Sequence, residues 1–205
     1  MKTIIFDFDG TIADSFVVFV ETFEEVTNRK QKLTQKEIES LRGKSLRGIL
    51  GHLKIKKWQI PRLVIKGKKA LGLKISSIKP FAEMPDVLKN FHVDGRQMFI
   101  LSTNSSGSIS KFLKSNGMES YFERIYGDIG LRSKASALKK LMKKENIQAQ
   151  DCVYVGDEVR DVVAAKKAGV TSIAVAWGFN FPKVLKQADP DALAEAPKDL
   201  INILR

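Results

Sequence analysis

Two carboxylates stand two residues apart in Asp7-Phe8-Asp9-Gly10-Thr11, directly after the apolar run Thr3 to Phe6. The glycine lets the chain turn sharply behind them. A second apolar run, Met98 to Leu101, ends in Ser102-Thr103-Asn104. Hydroxyls there, together with the N-terminus of a following helix capped by Ser105 or Ser106, could hold phosphate oxygens. A third run, Cys152 to Val155, ends in Gly156-Asp157-Glu158-Val159-Arg160-Asp161, a second acidic cluster. Any one of these segments alone reads as a turn, a helix cap or a loop. Their joint occurrence at the ends of apolar runs points to one site, because converging carboxylates repel each other and a divalent cation resolves the repulsion.

The elements that must position these groups follow from the hydrophobic pattern. A fourth run, Ile173 to Ala176, joins the other three, and each lacks polar alternation, as strands buried on both faces should. Helical spacing lies between the later runs: Ser108 to Asn116 closed by Gly117, Ser133 to Glu145, and Val159 to Ala168 closed by Gly169. This alternation predicts an α/β fold, a three-layer Rossmann-like parallel sheet with helices on both faces, joined by right-handed crossovers. Arg124 to Tyr126 is a candidate further strand. Ligands on such a sheet gather beyond the carboxyl ends of the strands, where the polar segments fall.

The stretch between the first and second runs is far longer than one crossover needs, so a unit is inserted there. Phe16, Phe19, Val20, Phe23 and Val26 form a helical stripe, followed by helical segments near Lys36 to Leu41, Ser45 to Lys54 and Ile60 to Leu73, with Pro61 suited to a first turn. The expected organisation is a core of residues 1–15 and 81–205 carrying a small helical cap domain, 16–80.

Charge follows the same division. The net charge is +12, yet between Lys30 and Lys79 there are 15 Lys or Arg against Glu37 and Glu39, so the remainder is nearly neutral. Such a segment attracts anions, whether small phosphorylated compounds, nucleic acid or anionic lipid, or else it is a well-solvated lysine surface. The single cysteine, Cys152, lies in an apolar run, forms no internal disulfide and fits a reducing cytoplasm. The first apolar run is too short for a signal peptide, and charges interrupt every long apolar stretch, so no membrane association is expected.

With these residues assembled, the chain resembles the haloacid dehalogenase-like hydrolases, in particular their phosphoglycolate phosphatase-like branch, over essentially its whole length. The resemblance rests on Asp7-Phe8-Asp9-Gly10-Thr11-Ile12-Ala13-Asp14-Ser15, on Thr103-Asn104 after its strand, and on a lysine best placed at Lys134. It continues in Val155-Gly156-Asp157-Glu158-Val159-Arg160-Asp161, through Ala164-Ala165-Lys166-Lys167-Ala168-Gly169. Trp177-Gly178-Phe179-Asn180 and Asp189-Pro190-Asp191 also resemble that branch. Many relatives place Gly before and Pro after the lysine, where this chain has Ser133 and Ala135; Arg132 and Lys139 are the fallback candidates.

The resemblance implies a phosphatase for a small phosphorylated metabolite. Asp7 would attack phosphorus to form an aspartyl-phosphate, and Asp9 would protonate the leaving oxygen and then deprotonate water. Magnesium would be held by the Asp7 carboxylate, the Asp9 backbone carbonyl and Asp157, with Asp161 orienting these ligands from behind. Thr103 and Asn104 would hold the phosphoryl group, and Lys134 would offset its charge and that on Asp7. Dehalogenases of the family lack an acid at the position of Asp9, which favours phosphoryl chemistry. In the cap, Arg42-Gly43-Lys44-Ser45-Leu46-Arg47 resembles a substrate loop, so Arg42, Lys44 and Arg47 are candidate clamps for an anionic leaving group; the alternative is solvated helix-end charge. Trp58 and His52 could line the cleft, or belong to cap core and surface.

Two other readings compete. A sugar phosphomutase of the same family would use the same nucleophile, but its relatives often carry an acidic residue where Gly156 precedes Asp157. A protein that binds nucleic acid or phosphorylated ends through the basic cap is the second, and little aromatic interleaving accompanies the lysines. The assembly expected is a monomer or homodimer.

Overall fold

A computed structural model describes residues 2–27, 33–41, 44, 48, 49, 51, 60–130 and 134–205. Six strands form one sheet: β1 (Thr3–Phe6), β2 (Gln97–Leu101), β3 (Arg124–Tyr126), β4 (Cys152–Gly156), β5 (Thr171–Val175) and β6 (Ala192–Ala194). Their order is β3-β2-β1-β4-β5-β6, and every pairing is parallel. β1 lies between β2 and β4, with all four residues buried.

Alternation along each strand splits the core into two layers. Ile4, Phe6, Met98, Ile100, Val153 and Val155 face one side, where α4 (Met84–Val93), α5 (Ser106–Ser115) and α9 (Asp199–Ile203) pack on them through residues such as Leu88, Phe112 and Leu200. Ile5, Phe99, Leu101, Cys152 and Tyr154 face the other, covered by Leu138, Leu141 and Met142 of α6 (Lys134–Lys144) and Ala165 of α7 (Val159–Ala168). Burying each large apolar side chain contributes about 1.5–3 kcal/mol against the cost of ordering the chain. α8 (Pro182–Gln187) packs Leu185 against Val162 of α7 and Ala174 of β5.

The expected α/β architecture is therefore present, and the residue pattern explains where its elements end. α7 stops at Gly169, which has a φ of 75°. α5 begins earlier than its periodicity suggests, because Ser105 is the N-cap and accepts the Ser108 N–H at 3.1 Å. β5 begins at Thr171 instead of Ile173: Ser172 donates through its N–H and hydroxyl to Asp191 Oδ2, at 2.8 and 2.7 Å, aligning β5 with β6. β6, α8 and α9 are too short, at three to six residues, to stand out in the hydrophobic pattern. α4 is a further helix not expected above, although Met84, Val87, Leu88 and Phe91 follow helical spacing and are all buried.

Between β1 and α4 the inserted segment contributes α1 (Phe16–Thr27), α2 (Gln35–Leu41) and α3 (Ile60–Lys74), close to the predicted bounds, with Pro61 in the first turn of α3. The helix expected over Ser45 to Lys54 lies largely outside the described residues. Phe16, Val20, Leu33, Leu41 and Ile49 form a separate apolar cluster. The two ends of the insertion are stitched together: Asp14 N–H donates to Lys79 O at 2.9 Å and Phe81 N–H to Ile12 O at 3.0 Å. Ile75 and Ile78, just before that neck, are buried in the main core.

Candidate active site

Strand register brings the acidic segments together. Phe6 is opposite both Ile100 and Val155, so the residues following each strand emerge at one edge of the sheet: Asp7 after β1, Ser102 after β2 and Asp157 after β4. Asp7 is tied to its neighbour by its N–H, which donates to Val155 O at 2.8 Å. Oxygens of Asp7, Asp157 and Asp161 all lie within 4.8 Å of one another, and all three residues are buried.

Each carboxylate is oriented by named donors. Asp7 Oδ1 accepts the Phe8 N–H at 2.8 Å and its Oδ2 accepts Lys134 Nζ at 2.6 Å. Lys134 Nζ also donates to Asp161 Oδ1. Asp161, in the first turn of α7, accepts the Glu158 N–H at 3.0 Å through Oδ2. Asp157 Oδ1 accepts the Thr11 hydroxyl at 3.0 Å, and its Oδ2 accepts the Phe179 N–H at 2.7 Å. Among the described residues no ion pair reaches Asp157, while Lys134 pairs with both of the others.

That charge balance states what the cluster is suited to hold. Burial first, then the charges of Glu158, Asp161 and Asp7, push the Asp157 carboxyl well above the ordinary range. Burial raises Asp161 to about 6, although Lys134 pulls the other way. Burial opposes the charge on Lys134, but Asp161 and Asp7 outweigh it and hold its ammonium well above the usual lysine range. Three buried carboxylates against one ammonium leave an excess that a divalent cation offsets, with hard oxygen donors of the right kind. Gly10 belongs to this geometry: its φ is 76°, and a Cβ there would lie 2.1 Å from Asp157 Oδ2.

Asp9 stands apart from the cluster. It is half-buried, and Asn104 Nδ2 donates to its two oxygens at 3.1 and 3.4 Å. Burial, then the nearby charge of Asp7, raises its carboxyl to about 6, into the range where it can both give and take a proton. Asn104, expected at the phosphate, uses its other amide end to accept the Ser105 N–H at 2.8 Å. Thr103 is half-buried beside it.

The structure thus brings together Asp7, Asp9, Asn104, Lys134, Asp157 and Asp161. Lys134 is the buried cation of this group, whereas Lys139 is exposed on the same helix; Arg132 lies outside the described residues. Lys44 is exposed, and Arg42, Arg47, His52 and Trp58 lie outside the described residues. Sequence reasoning gives no role to the segment after β5. There Trp177 Nε1 donates to Thr11 O at 3.1 Å, and Asn180 Oδ1 accepts the Val159 N–H at 3.0 Å, holding the start of α7. The only signal is the Trp177-Gly178-Phe179-Asn180 string itself, since a backbone N–H donor such as that of Phe179 leaves no mark in side-chain chemistry.

The family described as haloacid dehalogenase-like hydrolase matches residues 4–175. The chain is 35% identical over 203 residues to a phosphoglycolate phosphatase of Synechococcus elongatus, covering 98% of this chain and 96% of that one. It is 24% identical over 209 residues to the pyrophosphatase PpaX of Oceanobacillus iheyensis, with coverage of 100% and 97%. A haloacid dehalogenase-like hydrolase structure from Streptococcus pneumoniae superposes with a TM-score of 0.84 at 21% identity, over 100% of this chain and 99% of that one.

Proposed function

The chain belongs to the haloacid dehalogenase-like hydrolase family, and from that premise we propose that it is a magnesium-dependent phosphatase for a small phosphorylated metabolite, with phosphoglycolate the first candidate. The observation that carries this reading is the buried cluster of Asp7, Asp157 and Asp161 with Lys134 on Asp7 and Asp9 alongside. The Synechococcus relative supports the substrate class. Residues 16–80 are the cap, and residues 1–15 with 81–205 the catalytic core. Among the described residues no helix is long and apolar enough to cross a membrane, and the buried lone thiol of Cys152 fits a reducing cytoplasm.

The Asp7 and Asp157 carboxylates, with the Asp9 backbone carbonyl, would hold magnesium, which when bound offsets the charge of carboxylates and phosphate and polarises the phosphoryl group. Lys134 and the Phe8 N–H fix the Asp7 carboxylate. An Asp7 oxygen attacks phosphorus as the bond from phosphorus to the leaving oxygen breaks, and Asp9 gives that oxygen a proton. Water then attacks the aspartyl-phosphate while Asp9 takes its proton, releasing inorganic phosphate and restoring both aspartates. Thr103 offers its hydroxyl to the transferring group. Hydrolysis is favoured over the phosphomutase alternative because a Cβ at Gly156 would lie 2.5 Å from Asp161 Oδ2, leaving no room for an acidic side chain there.

Incubating the purified protein and magnesium with a panel of phosphorylated metabolites, phosphoglycolate and pyrophosphate among them, tests the proposal. Release of inorganic phosphate, fastest from a small monoester, is expected. Isomerisation of a hexose 1-phosphate without phosphate release would overturn it.

A further inference from the structure

Among the described residues, one that packs on the apolar cluster of the inserted segment does not come from that segment. Phe179, in the loop after β5, is packed against the cluster that Phe16, Val20 and Ile49 of the insertion help to form. Its ring meets Phe16 edge-on at 5.1 Å between centroids and lies tilted against Phe19 at 5.8 Å. The same residue donates its N–H to Asp157 Oδ2 at 2.7 Å. One residue therefore joins the first cap helix through its side chain and a cluster carboxylate through its backbone.

The segment around it is held tightly enough to transmit that link. Trp177 is tied to the turn behind Asp9 through Thr11 O, and Asn180 is tied to the start of α7 through Val159 N–H. Gly178 between them has no room for a side chain: a Cβ there would lie 2.3 Å from Asp157 Cβ and 2.4 Å from Gly10 O. Displacing the Phe179 ring rotates a backbone pinned on both sides, and that backbone carries a donor to Asp157 Oδ2. This N–H and the Thr11 hydroxyl, one on each oxygen, orient the carboxylate.

We propose that Phe179 is a positioning residue that makes the metal affinity of Asp157 depend on the seating of the cap helix α1. The inference rests on the reading of Asp157 as a metal ligand. With Phe16 and Phe19 against the ring, the Phe179 N–H points at Asp157 and fixes its second oxygen for the cation. When those rings no longer pack on it, the donor drifts and the carboxylate keeps the Thr11 hydroxyl on Oδ1 but loses this donor on Oδ2. Groups that orient a ligand in this way typically govern metal affinity by about 10–100-fold.

The test is magnesium affinity of the whole protein, measured by calorimetry and by the magnesium-dependent rise in Tm, beside the magnesium concentration for half-maximal hydrolysis of an aryl phosphate. Phe179→Ala is expected to weaken binding about tenfold, the low end of the usual range for such groups, with a smaller loss of kcat at saturating magnesium. Phe179→Leu, which keeps apolar bulk against the cap, should recover most of the affinity. Phe19→Ala, which leaves the loop's own sequence intact, should weaken magnesium binding in the same direction and covers the case in which Phe179→Ala does not fold. Unchanged affinity in Phe179→Ala, or in Phe19→Ala if the former is unfolded, overturns the proposal. Asp157→Asn separates this from failure of the functional reading. Loss of binding there with none in Phe179→Ala sinks only the positioning role, while retained binding in Asp157→Asn sinks the assignment of the ligand itself.

Discussion

The strand-end cluster and the inserted segment hold their charges in opposite ways. In the cluster, Asp7, Asp157, Asp161 and Lys134 are buried, and each carboxylate is fixed by donors from two different elements. In the insertion, Lys36, Lys44, Lys66 and Lys69 are exposed, and half-buried Lys74 pairs with exposed Glu25 at 2.8 Å, where screening leaves little net energy. A buried ensemble can set proton affinities and hold a cation in a fixed geometry, because low dielectric makes each charge felt by its neighbours. A solvated basic surface can attract an anion but cannot orient it. Under the proposed function, chemistry belongs to the first region and attraction to the second, and Phe179 touches both.

Substitutions that break this contrast should differ by orders of magnitude. Asp7→Asn is expected to lower turnover of a generic aryl phosphate by more than about a thousandfold, since the attacking oxygen is lost; thermal melting within a few degrees of the parent would show that the fold survives, and retained turnover would refute the nucleophile. Asp9→Asn should cost about 10²–10⁴-fold in kcat, the usual worth of a positioned acid and base. Its loss should shrink for substrates with good leaving groups such as nitrophenyl phosphate, which a purely structural role for Asp9 does not predict. Lys134→Met leaves Asp7 and Asp161 buried without their partner and should destabilise the protein by about 3–5 kcal/mol in denaturant unfolding, partly restored by adding magnesium.

Smaller effects test the edges of the comparison. Asp191→Ala removes the acceptor of Ser172 at the start of β5 and should cost about 1 kcal/mol. The bonds to Ser172 N–H and hydroxyl hold the Asp191 carboxyl below its usual value, so its contribution is present at neutral pH and disappears as the pH falls through that lowered pKa; the difference between parent and variant in urea unfolding should vanish there. Lys44→Ala, at an exposed cap position, should raise KM for an anionic substrate by no more than about threefold with kcat unchanged, the pattern of weakened ground-state attraction. A fall in kcat instead would move Lys44 from the attracting surface into the chemistry.

How much of this is legible in the chain depends on how local each signal is. β1 and α7 can be bounded from the pattern alone, because β1 is a short apolar run and α7 ends in Gly169. β6 cannot, since Ala192–Ala194 carries too little hydrophobicity to stand out and is a strand only by pairing with β5. Lys134 is the best of three candidate cations by motif, and what separates it from Lys139 is burial against Asp7 and Asp161, a tertiary property. Asn104 reads as a phosphate ligand in the sequence, and in the fold its amide nitrogen faces Asp9, a relation across 95 positions of sequence that no spacing rule conveys.

By itself the sequence determined which chemical groups exist and that they follow strands: side-chain type and hydrophobic period are local, and a parallel sheet delivers the residues after its strands to one edge. Only the tertiary structure decided how Asp157 and Asp161 divide their oxygens, which cation is buried with them, and that the Phe179 backbone touches one carboxylate while its ring touches the cap. Those relations depend on register and on close packing at glycines, where a displacement of an ångström changes the hydrogen-bond partner, and such distances exist only once the chain has folded.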